Sequence, residues 1–498
     1  MTKKLILIIL INCQFAFSQI EILTPEKLTE DLTTFRNIRE SANSGLYKYR
    51  TKAQIDSIYT WENNEIKKPL NTIEFYRIIC LLTDFEGSVH NETNLPADAK
   101  KDFISSDGYF PIPLKLIQNN LVVNTSHFEI PLASKIHKIN DVAIETILKK
   151  LKRYYTTDGY NISGKTIGIN AAFSRYYKYE FGPAADFKVD YSEPYKTEIK
   201  TITIKSVSDK IKSEAFLNRH SKSIDSLYYT SIKKDKYKFE LINNKTALLT
   251  VNTFAIGRNS KDPEHIVYKN YLDSCFSKLN KDKIDHLIID VRTNGGGTDP
   301  NDILLFSYLA NKKFRENKSA YVSFNKIPYP KYLVPEEEDP KEEEKARQEF
   351  EKEMIEEFPV LVNGKYYQTE SFNKPIEPNQ NAFKGKIYLL ISERIASAGS
   401  LFAALVAGNT TATIIGQETM GGYFGHNGHI PMEYQLPNSK ITTTFSIVNL
   451  EQDVIKKKNQ KFGRGIIPDI YKSQTLDEFI NNEDDTIKFT LRLIGKKK

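Results

Sequence analysis

Cysteine and tryptophan are scarce in this sequence, with three and one residues respectively among 498. Cys13 lies in the apolar N-terminal segment, which leaves Cys80 and Cys275 for the body of the protein. Two cysteines are too few for a disulfide framework, and neither has partners at a metal-ligand spacing. Both lie in apolar helical patterns, so the sequence predicts buried free thiols, with a disulfide as the alternative in an exported protein.

A strong charge of either sign is also absent. The formal net charge is +7, and basic and acidic residues are interspersed along the chain. Proteins that bind nucleic acids carry a basic patch or stripe, so no nucleic-acid partner is predicted. The length allows about two to four domains.

Long hydrophobic runs are missing except at the N-terminus. There, two lysines precede the apolar residues 5–11, and Ala16 and Ser18 occupy small-residue positions. This order predicts a secretory signal peptide, residues 1–18, that is cleaved after Ser18. A membrane span needs about 20 apolar residues, so this run is too short to cross a bilayer. A lipid anchor on Cys13 is the weaker alternative to cleavage. We therefore expect an exported protein, periplasmic or extracellular, with no integral membrane segment after cleavage.

The apolar pattern divides the rest of the chain. Residues 19–105 carry apolar positions at three- and four-residue spacing, which predicts a helical N-terminal domain. Residues 106–200 alternate like paired strands around a strand-turn-helix segment, which predicts a small α+β module, and residues 201–235 form a connecting segment. Residues 236–475 repeat strand, loop and helix, which predicts an α/β sheet domain. Residues 476–498 remain as a C-terminal tail.

An acidic insertion, residues 331–360, interrupts the predicted sheet domain. Phe350, Met354 and Phe358 recur every four residues within it, and most other positions are charged. The pattern predicts a solvated helix with one thin apolar stripe. A binding element over the mouth of the active site is the alternative.

Two junctions between a strand and a helix are candidates for chemistry. Asp290 ends an apolar strand and is followed by three glycines at 295–297, whose N–H groups can turn toward one point and bind an anion, although a tight turn is commoner. Ser397 follows another strand and opens an apolar helix, where a serine is more often a helix cap than a nucleophile. If the Ala398 N–H faces the same point as the glycines, two donors and a hydroxyl converge, which is the geometry of acyl transfer.

A serine nucleophile needs a base, and histidine is the usual one. The candidates are His90, in "EGSVHNET", and His426 in "GGYFGHNGH". His426 and His429 are three residues apart, but no third ligand has a sensible spacing. We therefore predict no metal and no cofactor.

Four segments together resemble a known family. "HLIIDVRTNGGG", "ERIASAGSLFAALVAGN", "IIGQETMGGYFG" and "GRGIIPDI" occur in this order and are similar to the tail-specific or C-terminal-processing peptidases of family S41. The resemblance covers residues 70–475 and is strongest from 236. It implies an α/β fold: a crotonase- or ClpP-like sheet domain with an N-terminal helical cap and a PDZ-like α+β module. It also implies that Ser397 is the nucleophile and that the N–H groups of Gly296 and Ala398 form the oxyanion hole.

The general base expected from one branch of this family is absent from this sequence. The bacterial processing branch has a lysine in the turn that matches "ETMGGYFGH", where this chain has Gly422, with His426 four residues on. The branch that resembles the tricorn core protease takes a histidine from upstream of the PDZ-like region, and His90 matches that position. A neutral imidazole is a suitable base near pH 7. His90 is favoured, and His426 stays open.

The function predicted from these features is that of an exported serine endopeptidase of the tail-specific type, acting on extended polypeptides without a metal or cofactor. A catalytically inactive peptide- or ligand-binding protein on the same scaffold is the first alternative, because a fold does not guarantee its chemistry. An acyl-transfer enzyme that acts on a thioester is the second, and the signal peptide argues against it.

Overall fold

The computed structural model describes residues 21–221 and 235–496. The predicted signal peptide, residues 1–18, therefore lies outside the described residues. Within the described ranges, no helix combines the length and the apolar character needed to cross a membrane. Cys80 and Cys275 are both buried and free, which confirms the prediction of buried thiols.

Helices dominate the described chain up to residue 105. The elements are β1 (Ile22–Leu23), α1 (Pro25–Ala42), α2 (Lys52–Glu65), β2 (Leu70–Asn71), α3 (Thr72–Glu86), β3 (Glu92–Asn94) and α4 (Ala97–Ser105). Asn71 and Glu74 form a reciprocal capping box at the start of α3. The helix ends at Gly87, whose φ of +75° is the left-handed conformation that glycine adopts freely.

An antiparallel sheet follows, in the order β4-β5-β6-β8-β9 with β7 paired to β6. The elements are β4 (Leu114–Ile117), β5 (Asn120–Val123), β6 (Lys135–Ile139), β7 (Val142–Ala143), α5 (Ile144–Leu151), α6 (Lys165–Phe181), β8 (Asp186–Ser192), β9 (Lys200–Lys205) and α7 (Asp209–Ser221). Two of its turns place both central residues at positive φ, Gln118 with Asn119 and Asn140 with Asp141, as in type I′ hairpins. The sequence did not predict α6 or α7, and β9 continues past the predicted boundary at residue 200.

The first helices and this antiparallel sheet share one apolar core. Phe35 and Ile79 of the helices belong to the same buried cluster as Phe110, Ile136 and Phe187. The boundary predicted between residues 105 and 106 therefore does not separate two cores. The reason is that each part has one apolar face, and each face is covered by the other part.

The chain from residue 237 builds two further sheets. Its elements are β10 (Tyr237–Asn243), β11 (Thr246–Val251), α8 (Pro263–Lys281), β12 (His286–Asp290), α9 (Asn301–Ser307), β13 (Asn317–Val322), α10 (Pro340–Glu357), β14 (Val360–Val362), β15 (Lys365–Tyr367), β16 (Lys386–Ile391), α11 (Ala398–Asn409), β17 (Thr413–Gly416), β18 (Asn427–Gln435), β19 (Thr442–Gln452), β20 (Ile470–Tyr471), α12 (Leu476–Ile480) and α13 (Thr486–Lys496).

The main sheet has the order β10-β11-β12-β16-β17-β20 and is parallel except for β10. This is the predicted α/β sheet. Its second face is covered by α13, whose Ile487, Leu491 and Ile494 pack against Ile288 and Leu390. The segment predicted as a tail, residues 476–498, thus supplies a layer of the domain, because central parallel strands are apolar on both faces and need cover on both.

A second sheet, absent from the sequence-based prediction, has the order β14-β15-β13-β19-β18, and β3 joins it by pairing with β19. The acidic helix α10 packs on this sheet. Met354 and Phe358 are buried there and Phe350 is partly buried, in one cluster with Phe445. The predicted apolar stripe of the insertion therefore faces this sheet.

A buried ion pair fixes the end of α3 just before His90. Glu86 accepts hydrogen bonds from Arg39 (2.8 and 2.6 Å), from Asn43 (3.1 Å) and from Asn91 (2.8 Å). The Arg39 guanidinium also lies over the ring of Phe445 in β19, 4.2 Å from its centroid. These contacts tie α1, the loop that carries His90, and the second sheet together.

Candidate active site

Ser397 lies between β16 and α11, at the position of the helix cap, but its side chain does not cap the helix. No hydrogen bond joins its hydroxyl to the first N–H groups of α11. Because the flanking residues are small and the side chain is only partly buried, a substrate has room to approach the oxygen. The alternative in which the Ser397 side chain caps the helix is therefore wrong.

The backbone of Ser397 is strained. Its φ of +50° and ψ of −135° lie in a region that residues with a side chain rarely occupy, at a cost of about 1–3 kcal/mol. A sharp turn from a strand into a helix is how the nucleophile elbow of other hydrolases exposes its serine. Strain that the surrounding structure maintains is typical of functional positions.

The triple-glycine turn lies directly against Ser397. A Cβ on Gly296 would lie 2.7 Å from the Ser397 Cβ and 3.2 Å from the Ala398 nitrogen. Likewise, a Cβ on Gly399 would lie 2.6 Å from the carbonyl oxygen of Asn294. Glycine is required at both positions for this approach of the turn to the helix start.

The two predicted oxyanion donors differ in their availability. Among the described residues, the Ala398 N–H has no hydrogen-bond acceptor, as expected at the first turn of a helix. The Gly296 N–H, by contrast, already donates to Asn294 Oδ1 at 2.9 Å. In this conformation Gly296 is therefore not free to act as predicted. The neighbouring N–H groups of Gly295 and Gly297 have no acceptor in the described part of the chain.

His90 is held in an orientation that suits a general base. Its Nδ1 lies 2.7 Å from the carbonyl oxygen of Asn427. Since a carbonyl only accepts, Nδ1 carries the proton and Nε2 keeps its lone pair, which is the tautomer a base needs. Burial lowers the pKa of His90 below its ordinary value of 6.5, so the ring is neutral at pH 7.

His426 is completely buried next to His90, with ring centroids 5.1 Å apart. Its Nδ1 has no hydrogen-bond partner within the described residues and lies 4.0 Å from Asp158 Oδ2. Burial, and secondarily His90, lower the pKa of His426 well below 6.5. The imidazole is neutral at pH 7, so its approach to Asp158 is not an ion pair.

Asp158 and Lys48 belong to this site and were missed by the sequence analysis. Asp158 accepts hydrogen bonds from the N–H groups of Val89 (2.9 Å) and Gly422 (2.8 Å), and burial raises its pKa to about 7. Lys48 donates to Asn449 and to the carbonyl of residue 450, and burial lowers its pKa to about 8. Each is a single residue without a motif, so no sequence pattern could identify it.

Gly422 replaces the expected lysine for a steric reason. A Cβ there would lie 2.9 Å from the carbonyl oxygen of Gly425 and 3.3 Å from the hydroxyl of Tyr49. A side chain at this position would displace the turn backbone, because a contact under 3.0 Å with a main-chain oxygen is not tolerated. The turn thus has no room for the lysine of the bacterial processing branch.

Ser397 and the histidines are in neighbouring segments but do not touch. In the described structure, no hydrogen bond joins the Ser397 hydroxyl to His90 or His426. The link between them is the turn that begins at Met420, since a Cβ on Gly421 would lie 3.3 Å from the Ala396 Cα. A cavity of about 600 Å³ is lined by both His90 and Met420, so it opens between the imidazole and this turn.

Comparison with known proteins decides the family. Residues 245–472 match the model of peptidase family S41. This segment is therefore the part of the chain that carries the S41 peptidase domain. The resemblance found in the four motifs is thereby confirmed, and the protein is a serine-type peptidase whose substrates are polypeptides. No protein of curated function matches the chain by sequence.

Solved structures show the same fold as this S41 peptidase. Mature CPAF matches with a TM-score of 0.60 at 12% identity, over 92% of this chain and 95% of that one. Mature CPAF complexed with lactacystin matches with a TM-score of 0.59 at 12% identity, over 94% and 98%. At this identity the likeness concerns the mixed α/β fold and its several sheets.

Proposed function

We propose that this S41 peptidase is an exported endopeptidase of the tail-specific type that cleaves polypeptides through Ser397, with His90 as the general base. The observation that carries the proposal is the strained backbone of Ser397, held against the glycine turn with its hydroxyl free of any capping bond. Strain maintained at a serine with unbonded N–H groups beside it is what a nucleophile next to an oxyanion hole requires.

The proposed reaction begins with attack of Ser397 Oγ on the scissile carbonyl carbon while His90 Nε2 takes the hydroxyl proton. The Ala398 N–H and one glycine N–H of the turn stabilise the negative oxygen of the tetrahedral intermediate. His90 then gives its proton to the leaving amine, and water hydrolyses the acyl-enzyme by the same steps. A shorter distance between the His90 imidazole and Ser397 in the substrate complex would complete this step, since catalytic hydrogen bonds often tighten only with substrate bound.

We further propose how the polypeptide is held. The cavity beside His90 is rich in tyrosine, with Tyr76, Tyr154 and Tyr176 in its wall, and is suited to an apolar or aromatic side chain of the substrate. The sheet of β4 to β9 with α5 is proposed to act as a PDZ-like module that adds a substrate strand at its edge. The helices before it would form the cap of the catalytic domain.

Export is proposed from the first 18 residues, on the order of lysines, apolar run and small residues described above. The destination is the periplasm or the extracellular space. Mass spectrometry of the N-terminus of protein purified from its native host tests this: a chain that begins at Gln19 supports it, and one that retains Met1 contradicts it.

A second candidate, an inactive peptide-binding protein on the same scaffold, is favoured by two observations. The Ser397 hydroxyl makes no hydrogen bond to an imidazole in the described structure, and the Gly296 N–H is taken by Asn294. A site in this arrangement binds a peptide without cleaving it unless His90 and Ser397 come closer together.

Labelling with a fluorophosphonate probe separates the two candidates. We expect the mature protein to form an adduct that peptide mapping assigns to Ser397, because only an activated serine reacts. His90→Ala should slow labelling by about 100-fold or more, and His426→Ala should slow it less. Failure of the wild-type protein to react would favour the binding protein, and a larger effect of His426→Ala would transfer the role of base to that residue.

The pH dependence of kcat/KM gives an independent test of the base. Protonation of His90 removes its lone pair, so activity should fall as the pH falls, with a midpoint below 6.5 because burial lowers the pKa of His90. Lys48, with a pKa of about 8, would instead place the midpoint near 8. Asp158→Asn is the control, since it removes the other nearby group that titrates near neutrality and should leave the acid limb in place.

A further inference from the structure

Two acidic side chains and one histidine from distant parts of the sequence meet near the glycine turn. One potential ligand atom from each of Asp299, Glu316 and His429 lies within 4.8 Å of the other two. Asp299 is two residues past the last glycine of the turn, Glu316 precedes β13, and His429 lies in β18. His429 has a φ of +59° at an irregularity in the pairing of β18 with β19, and such bulges re-aim a side chain.

Buried oxygens without hydrogen-bond partners occur within this cluster and close to it in the sequence. Asp302 is fully buried, and neither of its carboxylate oxygens has a hydrogen-bond partner within the described residues. The same holds for Oε1 of Glu316. The Asp302 carboxylate interacts electrostatically with those of Asp299 and Glu316, so an unpartnered buried group belongs to the cluster.

The charges of the cluster are not balanced by the protein. In the part of the chain that the structure describes, no lysine or arginine forms an ion pair with Asp299, Asp302 or Glu316, and His429 is the only ion-pair partner found for Asp299 (3.5 Å). The carboxylates of Asp299, Asp302 and Glu316 repel one another when they are ionised. A divalent cation bound between them relieves this repulsion.

The donor set and its spacing select the kind of cation. Two carboxylates and an imidazole suit Zn²⁺ or Mn²⁺ better than Ca²⁺, which prefers oxygen ligands alone. Two ligands about 2.1 Å from a tetrahedral zinc ion lie about 3.4 Å apart. The Asp299 oxygen and the His429 Nδ1 are 3.5 Å apart, so these two need almost no movement, and His429 is exposed, which gives an ion a path from solvent.

We propose that Asp299, Glu316 and His429 bind one divalent transition-metal cation, with Zn²⁺ as the best fit, and that the buried Asp302 supports the site from behind. The ion would join the segment after the glycine turn to β18, which begins one residue after His426. It would act by positioning these two segments and would take no part in peptide hydrolysis. No sequence pattern identifies this set, because its ligands are 17 and 113 residues apart along the chain; the spacing of His426 and His429 pointed to a different pair.

Isothermal titration of untagged, metal-free protein with ZnCl₂ tests the proposal without reference to activity. We expect one ion per chain with a Kd below about 1 µM. His429→Gln and Glu316→Gln should each weaken binding by at least ~10-fold, since each removes a ligand. The control is His127→Gln, which changes an exposed histidine in a loop outside this cluster and should leave the Kd unchanged.

Two further measurements keep the result unambiguous. Zinc should raise the Tm of the wild-type protein and of His127→Gln, but not that of Glu316→Gln, and circular dichroism of the metal-free variants checks that each is folded. Titration with CaCl₂ should show much weaker binding than with ZnCl₂. The proposal is overturned if zinc does not bind, if His429→Gln and Glu316→Gln bind as tightly as wild type, or if His426→Ala alone removes binding.

Discussion

We expect Ser397→Ala to lower kcat for peptide hydrolysis by at least ~10⁴-fold, because loss of the nucleophile removes the covalent pathway entirely. Ser397→Gly should be equally inactive. The two variants differ in stability: glycine adopts a φ of +50° without strain, so Ser397→Gly should be more stable than wild type by about 1 kcal/mol, whereas alanine keeps the strain. Steady-state kinetics on a protein substrate and urea unfolding measure the two effects.

Ser400→Gly is the matched control for this prediction. Ser400 is three residues along, inside α11 and fully buried, and a glycine in a helix destabilises by about 1 kcal/mol. The same substitution should therefore raise stability at 397 and lower it at 400. Retention of more than roughly 1% of the activity in Ser397→Ala would show that another group is the nucleophile.

Gly297→Ala should destabilise the protein by more than about 4 kcal/mol, which is rare for a single substitution. Gly297 has a φ of +156°, and a Cβ there would lie 2.0 Å from the Ala255 nitrogen and 2.0 Å from the Phe254 carbonyl carbon. Both are main-chain atoms, and Phe254 forms a β-bridge with Gly297, so no side-chain rotation relieves the clash. The free energy of unfolding in urea is the measurement.

Gly295→Ala is the control within the same triplet. No atom lies within 4 Å of a Cβ built on Gly295, and its φ is not positive, so the change should stay within about 0.5 kcal/mol of wild type. Equal stability losses at 295 and 297 would contradict this steric explanation, because the substitution is the same at both positions and only the surrounding atoms differ.

The main sheet and its helices could be predicted because their signals are local. A continuous apolar strand, a short loop and an apolar helix recur from residue 246 to residue 416, and each unit folds against its neighbour. The helices before residue 105 and the two type I′ turns of the antiparallel sheet were predictable for the same reason.

The second sheet could not be predicted, because its strands pair across long sequence distances. β13 and β15 flank the acidic helix, and β19 pairs with β13 more than a hundred residues earlier. The candidate site shares this difficulty: Ser397 and the glycine turn have sequence signals, whereas Asp158 and Lys48 come from segments without a motif. The availability of the Gly296 N–H depends on one side chain, Asn294, whose orientation no pattern encodes.

The anchoring of His90 has a consequence for synthesis of the protein. The His90 ring is held by the main-chain carbonyl of Asn427. The strand β3, which follows His90, pairs with residues 442–444. A nascent chain that has emerged only to residue 420 contains the serine, the glycine turn and the proposed base, yet it lacks the Asn427 carbonyl that orients the base. Such dependence on distant pairing delays assembly, so the proposed hydrolytic arrangement is complete only after β18 and β19 have been made.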